Sequence, residues 1–398
     1  MFDSTESPIR QFSLGWNGSQ IYLGRIAIAG AEKTRTPAAR RPAVVLWAGA
    51  RQPRETEEAV QGITFPGDRR AVLKEFPDPE PGRGEVVVRM RASGMCGSDL
   101  HFYRGTASFG GGAGMIQGHE PCGEVHAVGS GVTPDKATVG DRVMIHHYWA
   151  CETCDHCRSG WPQMCDGGDV HTLCIDEPGG HAAYMVVPVR TLLPLPDELS
   201  FKAGAAIGCG TGTAWGGLKR LGDLGGANLV VLGQGPVGLS ATMLASALGA
   251  RVIGVDIKDE RLKRSREFGA SEVVNSAQTD ISEAIAGLTA GRGADLVLET
   301  SGRAGADALK ILGTWGRACF IGLPGDVTFR TEDVFRNQWT LMTSWTLSSI
   351  EQQRCADFIA SRKLPVDDLF TRSWSLDQAA EAYEWFDKQT DGKGVFEF

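Results

Sequence analysis

Asn228-Leu229-Val230-Val231-Leu232-Gly233-Gln234-Gly235-Pro236-Val237-Gly238 is the stretch whose reading settles the architecture. Its first five residues form a short apolar run that reads as a strand, and a helical stretch at 237–248 follows the glycines. G-x-G-x-x-G alone is cheap in a chain with 52 Gly among 398 residues, about twice the usual share. A strand before it and a helix after it supply the context that makes it informative. Gly233 then makes the tight turn, Gly235 lets the backbone approach a pyrophosphate, and Gly238 lets helix pack on strand. Pro236 and Val237 open a helix whose N-terminus faces the anion. The competing reading is a Gly-rich strand–helix turn that binds nothing.

Working outward, 251–255 reads as a second strand ending at Asp256, 23 residues after Gly233. A carboxylate there accepts hydrogen bonds from an adenosine ribose diol and repels a 2′-phosphate, which favours NAD over NADP. A charged helix at 259–268 and strands at 273–274, 294–299 and 318–321 continue the alternation. That rhythm predicts parallel βαβ units and a doubly wound sheet. Upstream the texture differs. Short strands at 71–73, 85–90, 124–128 and 141–145 lie between Pro- and Gly-rich turns, so 62–209 reads as a β-rich domain with long loops. Residues 1–61 sustain neither period and read as an extension outside the fold. Beyond 345 the chain reads as helices near 351–359 and 376–386 and a final strand at 394–398.

The formal net charge is −8, from 40 Lys and Arg against 48 Asp and Glu. There is no basic surplus to release phosphate counterions, which argues against a nucleic-acid binder. No apolar run approaches the length of a membrane span, and no signal-peptide pattern precedes the domain. Ten Cys are present, four of them within fifteen residues. Clustered Cys in a long chain reads as metal ligation in a reducing compartment, here the cytoplasm, rather than a disulfide framework.

That cluster is Cys151-x2-Cys154-x2-Cys157-x7-Cys165. Four thiolates close a tetrahedral shell around zinc and leave no position for a substrate, so such a site is structural. An iron–sulfur cluster uses the same ligand set, but the last gap of seven departs from the bacterial ferredoxin spacing. A second set is dispersed: Cys96 in Gly94-Met95-Cys96-Gly97-Ser98-Asp99-Leu100-His101, His119 in Gly118-His119-Glu120, and Cys209 in Gly208-Cys209-Gly210-Thr211-Gly212-Thr213. Together they could form a Cys₂His zinc site with one open position, the arrangement alcohol oxidation needs. Taken singly, a Cys or His is more often a packed core residue than a ligand.

With these four motifs in this order, the sequence resembles the zinc-containing medium-chain dehydrogenase/reductase family: the alcohol, polyol and threonine dehydrogenases. The resemblance runs from about residue 62 to the C-terminus. It implies an α/β chain with a GroES-like β-rich catalytic domain (62–209), a Rossmann doubly wound parallel sheet domain (210–345) and a C-terminal return to the catalytic domain (346–398). It implies two Zn2+ per chain and NAD, with Cys96, His119 and Cys209 on the catalytic zinc and Glu120 close behind it. Asp99 would orient His119 through its other ring nitrogen. Ser98 would take the alcohol proton and pass it through the cofactor ribose to His101. Thr213 would contact the nicotinamide end, and Arg261 would flank the adenosine beside Asp256. A homodimer or homotetramer is the family's usual state.

Two departures bear on substrate. Many primary-alcohol members carry a basic residue after the first zinc Cys, where this chain has Gly97, and an Arg near the C-terminus, where only Lys393 stands. Gly97-Ser98-Asp99 resembles the polyol and threonine branch, whereas Cys209 resembles the alcohol branch. His146, His147 and Tyr148, with Trp345 and Thr346, are candidates to line the cleft. The expected activity is reversible hydride transfer between NAD and an alcohol, with secondary alcohols, polyols or sugar alcohols ahead of primary or aryl alcohols and L-threonine. A zinc-free quinone-reductase-like relative would lack the Cys96, His119 and Cys209 set. A non-catalytic NAD-binding relative would have lost metal or relay residues, and none is lost.

Overall fold

The computed structural model describes residues 59–107, 114–389 and 392–398. The sequence-predicted extension therefore lies outside the described residues up to residue 58. At its other end the structure corrects the boundary, because a strand runs Val60–Gly67 and pairs antiparallel with Arg70–Phe76. Ile63 and Phe65 of this strand are buried. Its sequence, VQGITFPG, breaks the apolar–polar alternation with Gly62, Pro66 and Gly67, which hides it from a period-two reading.

The strand Asn228–Leu232 lies at the middle of a six-stranded sheet. The spatial order is Glu272–Asn275, Arg251–Asp256, Asn228–Leu232, Ala294–Glu299, Leu312–Phe320 and Thr340–Thr343, with every pair parallel. This is the dinucleotide-fold order, and the direction of winding reverses on either side of Asn228–Leu232. Leu229, Val230, Val231 and Leu232 are all buried, as expected for a strand covered by helices on both faces. The glycines act as their spacing implies. Gly233 has φ +90, and a Cβ at Gly238 would stand 1.8 Å from the Gly233 carbonyl oxygen. A Cβ at Gly235 would meet nothing within 4 Å, so this turn leaves open space above it.

The catalytic half is built on a second sheet. Its order is Phe370–Trp374, Lys393–Glu397, Glu85–Gly94, Glu120–Val128, Arg142–Ile145 and Leu192–Pro194, with Tyr184–Pro188 also paired to Glu85–Gly94. The last strand of the chain thus pairs with Glu85–Gly94, Val395 opposite Gly94, and Gly94 in turn opposite Glu120. Val86, Val88, Val125, Val143, Ile145 and Val187 fill its core.

Two helices, Phe201–Gly208 and Gly210–Leu221, join the halves. Ser200 caps the first by accepting from the Ala203 N–H. Cys209 is the single residue between them, with φ −142 and ψ −74 outside the helical region. Ala203, Ile207 and Leu218 of this pair pack in one cluster with Leu229 and Leu298 of the parallel sheet. The helices therefore belong to both halves, and a boundary at 209/210 cuts a shared core. No helix among the described residues is long and apolar enough to cross a membrane.

Candidate active site

Three chain segments supply the dispersed ligand set. Cys96 follows the end of the strand Glu85–Gly94, and His119 directly precedes the strand Glu120–Val128. Cys209 sits at the joint of the two helices. The donor atoms of Cys96, His119, Glu120 and Cys209 lie within 4.8 Å of one another. The Cys96 and Cys209 sulfurs are 3.9 Å apart. Two thiolates sharing a tetrahedral zinc at about 2.3 Å stand about 3.8 Å apart, so the pair fits that ion. His119 Nδ1 is 2.9 Å from Asp99 Oδ1, which fixes the tautomer and leaves Nε2 to face the sulfurs. Burial opposes charge on His119, but Asp99 and the two Cys outweigh it and hold the imidazole well above its ordinary value. The Ser98 hydroxyl lies 3.2 Å from His119 Nε2 and 3.3 Å from Cys96 Sγ.

Glu120 is fully buried and does not stand alone. Its Oε2 is 2.6 Å from Lys393 Nζ, and its Oε1 accepts the Gly210 N–H at 3.2 Å. Burial raises this carboxyl to about 7 against the pull of Lys393. Gly94 makes the room, since a Cβ there would come within 2.1 Å of Glu120 Oε2. Lys393 also donates to the Met95 carbonyl. It is thus a partner of Glu120, not the free cation near a pyrophosphate that its sequence position invites.

The four-Cys lobe is equally well assembled. Sγ–Sγ distances are 3.8 Å for Cys151–Cys157, 3.9 Å for Cys154–Cys165 and 3.4 Å for Cys151–Cys165. The backbone N–H groups of Thr153 and Cys154 and the Thr153 hydroxyl point at Cys151 Sγ and draw its thiol down to about 5. Four sulfurs at this spacing around one point fit a closed tetrahedral zinc shell.

In the dinucleotide crevice, Asp256 accepts the Gln234 N–H at 2.7 Å and the Ile257 and Lys258 N–H groups at 2.8 and 3.1 Å. Arg261 Nη1 is 3.6 Å from Asp256, and Arg261 Nη2 donates to the Gln389 carbonyl at 2.8 Å. Gly235, Pro236 and Arg261 line one crevice. Val237 follows Pro236 in the first turn of the helix Pro236–Ala247. Thr213 is in the first turn of the helix Gly210–Leu221, its N–H on the Cys209 carbonyl at 2.6 Å.

The adjacent His146 and His147 go different ways, as neighbours on an extended segment do. His146 Nδ1 bonds Gln352 Oε1 at 2.8 Å, away from the metal cluster. His147 lies 5.5 Å from the His119 ring and 4.1 Å from the Tyr148 ring. Its Nδ1 meets the Gly208 carbonyl at 3.1 Å, so that nitrogen carries the proton. Burial keeps the ring well below its ordinary value and hence neutral. Trp345 is half exposed and 5.7 Å from the Tyr148 ring, whereas Thr346 is tied to Gln163. His101 lies three residues beyond Ser98 on the short helix Asp99–Tyr103, half-buried and outside the metal cluster. The partners that sequence reasoning missed, Lys393 for Glu120 and Tyr383 and His181 around Asp99, sit far away along the chain and carry no local motif.

Comparison with known proteins agrees with this geometry. Residues 82–197 match the alcohol dehydrogenase GroES-like domain family, and 236–361 match the zinc-binding dehydrogenase family. The chain is 38% identical over 346 residues to the uncharacterized zinc-type alcohol dehydrogenase-like protein YphC of Escherichia coli K12, covering 84% of this chain and 97% of that one. It is 36% identical over 253 residues to an alcohol dehydrogenase of Geobacillus stearothermophilus, covering 63% and 74%. The solved alcohol dehydrogenase TADH of Thermus sp. ATN1 superposes with a TM-score of 0.77 at 28% identity, covering 85% and 99%. With two ligand sets of zinc geometry, a dinucleotide turn at the switch point of a parallel sheet, and relatives aligned along nearly their whole length, the chain belongs to the zinc-containing medium-chain dehydrogenase/reductase family and is an NAD-linked zinc oxidoreductase of CH–OH groups.

Proposed function

We propose that the chain interconverts secondary alcohols, polyols or sugar alcohols with their ketones, and that Cys96, His119 and Cys209 hold the zinc at which this happens. Cys151, Cys154, Cys157 and Cys165 hold the second, structural zinc. When bound, the catalytic zinc lowers the proton affinity of a substrate hydroxyl, and NAD accepts hydride. The chain's own groups do the rest. Asp99 orients His119, and Ser98 Oγ is placed to take the departing proton. His101 lies at the outer side as the group that releases it. Gly233, Gly235, Pro236, Val237 and Gly238 seat the pyrophosphate, with Asp256 and Arg261 at the adenosine end and Thr213 at the nicotinamide end.

The observation that carries the substrate class is His147. Its Nδ1–H is taken by Gly208, so Nε2 keeps a lone pair, and the ring stays neutral 5.5 Å from His119. A fixed acceptor beside the reacting centre suits a substrate with a second hydroxyl. Cys209, placed as a full third ligand, favours the primary or aryl alcohol reading instead. A panel of polyols, cyclic secondary alcohols, L-threonine, ethanol and benzyl alcohol with NAD separates the two. Polyols should lead in kcat/KM, and His147→Phe should erase their advantage over simple alcohols. Ethanol turning over faster than every polyol and secondary alcohol would sink the reading.

We infer further that the protein is a cytoplasmic homodimer or homotetramer. All ten Cys are free. Among the described residues the edge strand Thr340–Thr343 has a neighbour on one side only, with the exposed Phe329 and Phe335 in the segment leading to it. Equilibrium sedimentation of the full chain tests the association.

A further inference from the structure

Asp99 does more than meet His119. It is almost completely buried, and its other oxygen, Oδ2, accepts the Cys96 N–H at 2.8 Å and the Tyr383 hydroxyl at 3.2 Å. Tyr383 comes from the helix Ala379–Asp387, 284 residues further along. Its hydroxyl has one proton, given to Asp99, so it must accept from the group on its other side. That group is His181, whose Nε2 is 2.7 Å away. Nε2 therefore carries the His181 proton, and Nδ1 is the acceptor for the Ser93 hydroxyl at 2.7 Å. The result is a one-way chain of donors, Ser93 to His181 to Tyr383 to Asp99, ending on the carboxylate that holds His119.

Every member of this chain is buried: Ser93, His181 and Tyr383 are 0% exposed. It has no outlet to water among the described residues, so it cannot ferry protons. What it can do is hold a carboxylate in one rotamer. The structure makes room for it beside the metal ligand. Gly118 immediately precedes His119, and a Cβ on Gly118 would stand 2.3 Å from His181 Nδ1. The Tyr383 ring is independently packed by Phe65 at 4.5 Å and Tyr103 at 5.5 Å, so its position does not depend on the hydroxyl.

We propose that Tyr383 and His181 are positioning residues for the metal ligand His119, acting through Asp99. The proposal rests on the assignment of His119 to the catalytic zinc. Without the Tyr383 hydroxyl, Asp99 loses one of its two Oδ2 donors and His181 loses its acceptor. The carboxylate is then held at Oδ2 by the Cys96 N–H alone, and His119 is held less firmly.

The test is zinc release to a chelator from the full-length holoenzyme, followed separately for the two zincs, with the four-Cys lobe as internal control. Tyr383→Phe keeps the ring packing and should release the catalytic zinc about tenfold faster, the low end for groups that orient a metal ligand. Release of the lobe zinc should stay as in the wild type, while the thermal midpoint falls modestly because the buried His181 N–H loses its acceptor. In an Asp99→Asn background, Tyr383→Phe should add nothing, because its route to His119 is already cut. Should Tyr383→Phe fail to fold, His181→Phe is measured the same way. Wild-type release rates, equal effects in both backgrounds, or faster release of both zincs together would each overturn the proposal. His119→Ala checks the assignment beneath it: one zinc per chain supports His119 as a ligand, and two would overturn that assignment instead.

Discussion

Lys393 Nζ lies 2.6 Å from Glu120 Oε2 in a wall of the metal site where both side chains are buried. The lysine comes from the last strand of the chain and the glutamate from the residue after His119. Removing one partner of such a pair leaves an uncompensated buried charge and costs about 3–5 kcal/mol. Lys393→Met should lower the urea midpoint accordingly, and adding Glu120→Gln should restore most of the loss. An unchanged midpoint in Lys393→Met would show that the pair is not coupled to folding.

The two zinc sites should fail differently. On the proposed assignment Cys96 belongs to an open set with His119 and Cys209, whereas Cys154 belongs to a four-Cys shell that would organise its own loop. Cys96→Ser should abolish turnover while leaving the circular dichroism spectrum and the lobe zinc intact. Cys154→Ser should chiefly lower solubility and the thermal midpoint. Metal analysis should find two zincs per wild-type chain, and full activity with one would contradict the assignment.

NAD should exceed NADP by at least about tenfold in kcat/KM, since Asp256, on the proposed assignment to the adenosine end, would meet the extra phosphate with like charge. Asp256 also accepts three backbone N–H groups around the Gly turn. Asp256→Ser should therefore narrow the preference and also weaken NAD binding, read as a raised KM. Equal use of both cofactors by the wild type would remove Asp256 from the discrimination.

Ser98 touches the metal-ligand atoms and His101 does not, so their losses should differ in kind. His101→Gln should slow alcohol oxidation about 10- to 100-fold near pH 7, within or just below the range for a proton-transfer group. The deficit should shrink at high pH, where hydroxide substitutes. Ser98→Ala should be slower still, with zinc content unchanged in both. A pH–rate profile in His101→Gln that overlays the wild type would take His101 out of the proton route.

Burial lowers His146 and His181 to about 4. The unfolded chain takes up protons at these sites below about pH 6.5, while the native state resists until about 4. Their contribution is therefore complete above pH 6.5 and is lost as pH falls towards 4, by about 1.4 kcal/mol per pH unit for each group within that window. The urea midpoint should fall between pH 6.5 and 5, and His146→Gln should flatten the slope. A midpoint constant over that range would mean that these rings are not neutral and buried together.

What the sequence made legible was whatever is local. The four-Cys lobe carries its whole chemistry within fifteen residues, and the Gly233–Gly238 turn is read from its spacing together with the strand before it and the helix after it. The set Cys96, His119 and Cys209 needed family resemblance, because 113 residues separate its two sulfurs. The strand Val60–Gly67 escaped because its glycines and proline spoil the alternation, and its burial depends on partners elsewhere. The pairs Glu120–Lys393 and Asp99–Tyr383 escaped for a stronger reason: each joins residues that only the folded sheet and the C-terminal helix bring together. His146 and His147 look alike in sequence, and only the backbone direction decides that one faces Gln352 and the other His119.

The pairing of the final strand with Glu85–Gly94 sets an order on biosynthesis. A ribosome exposes Cys96, His119 and Cys209 long before it reaches Tyr383 and Lys393. An ion captured before that point meets a half-built cage, from which Lys393 beside Glu120 and the Tyr383 hydroxyl on Asp99 are still missing.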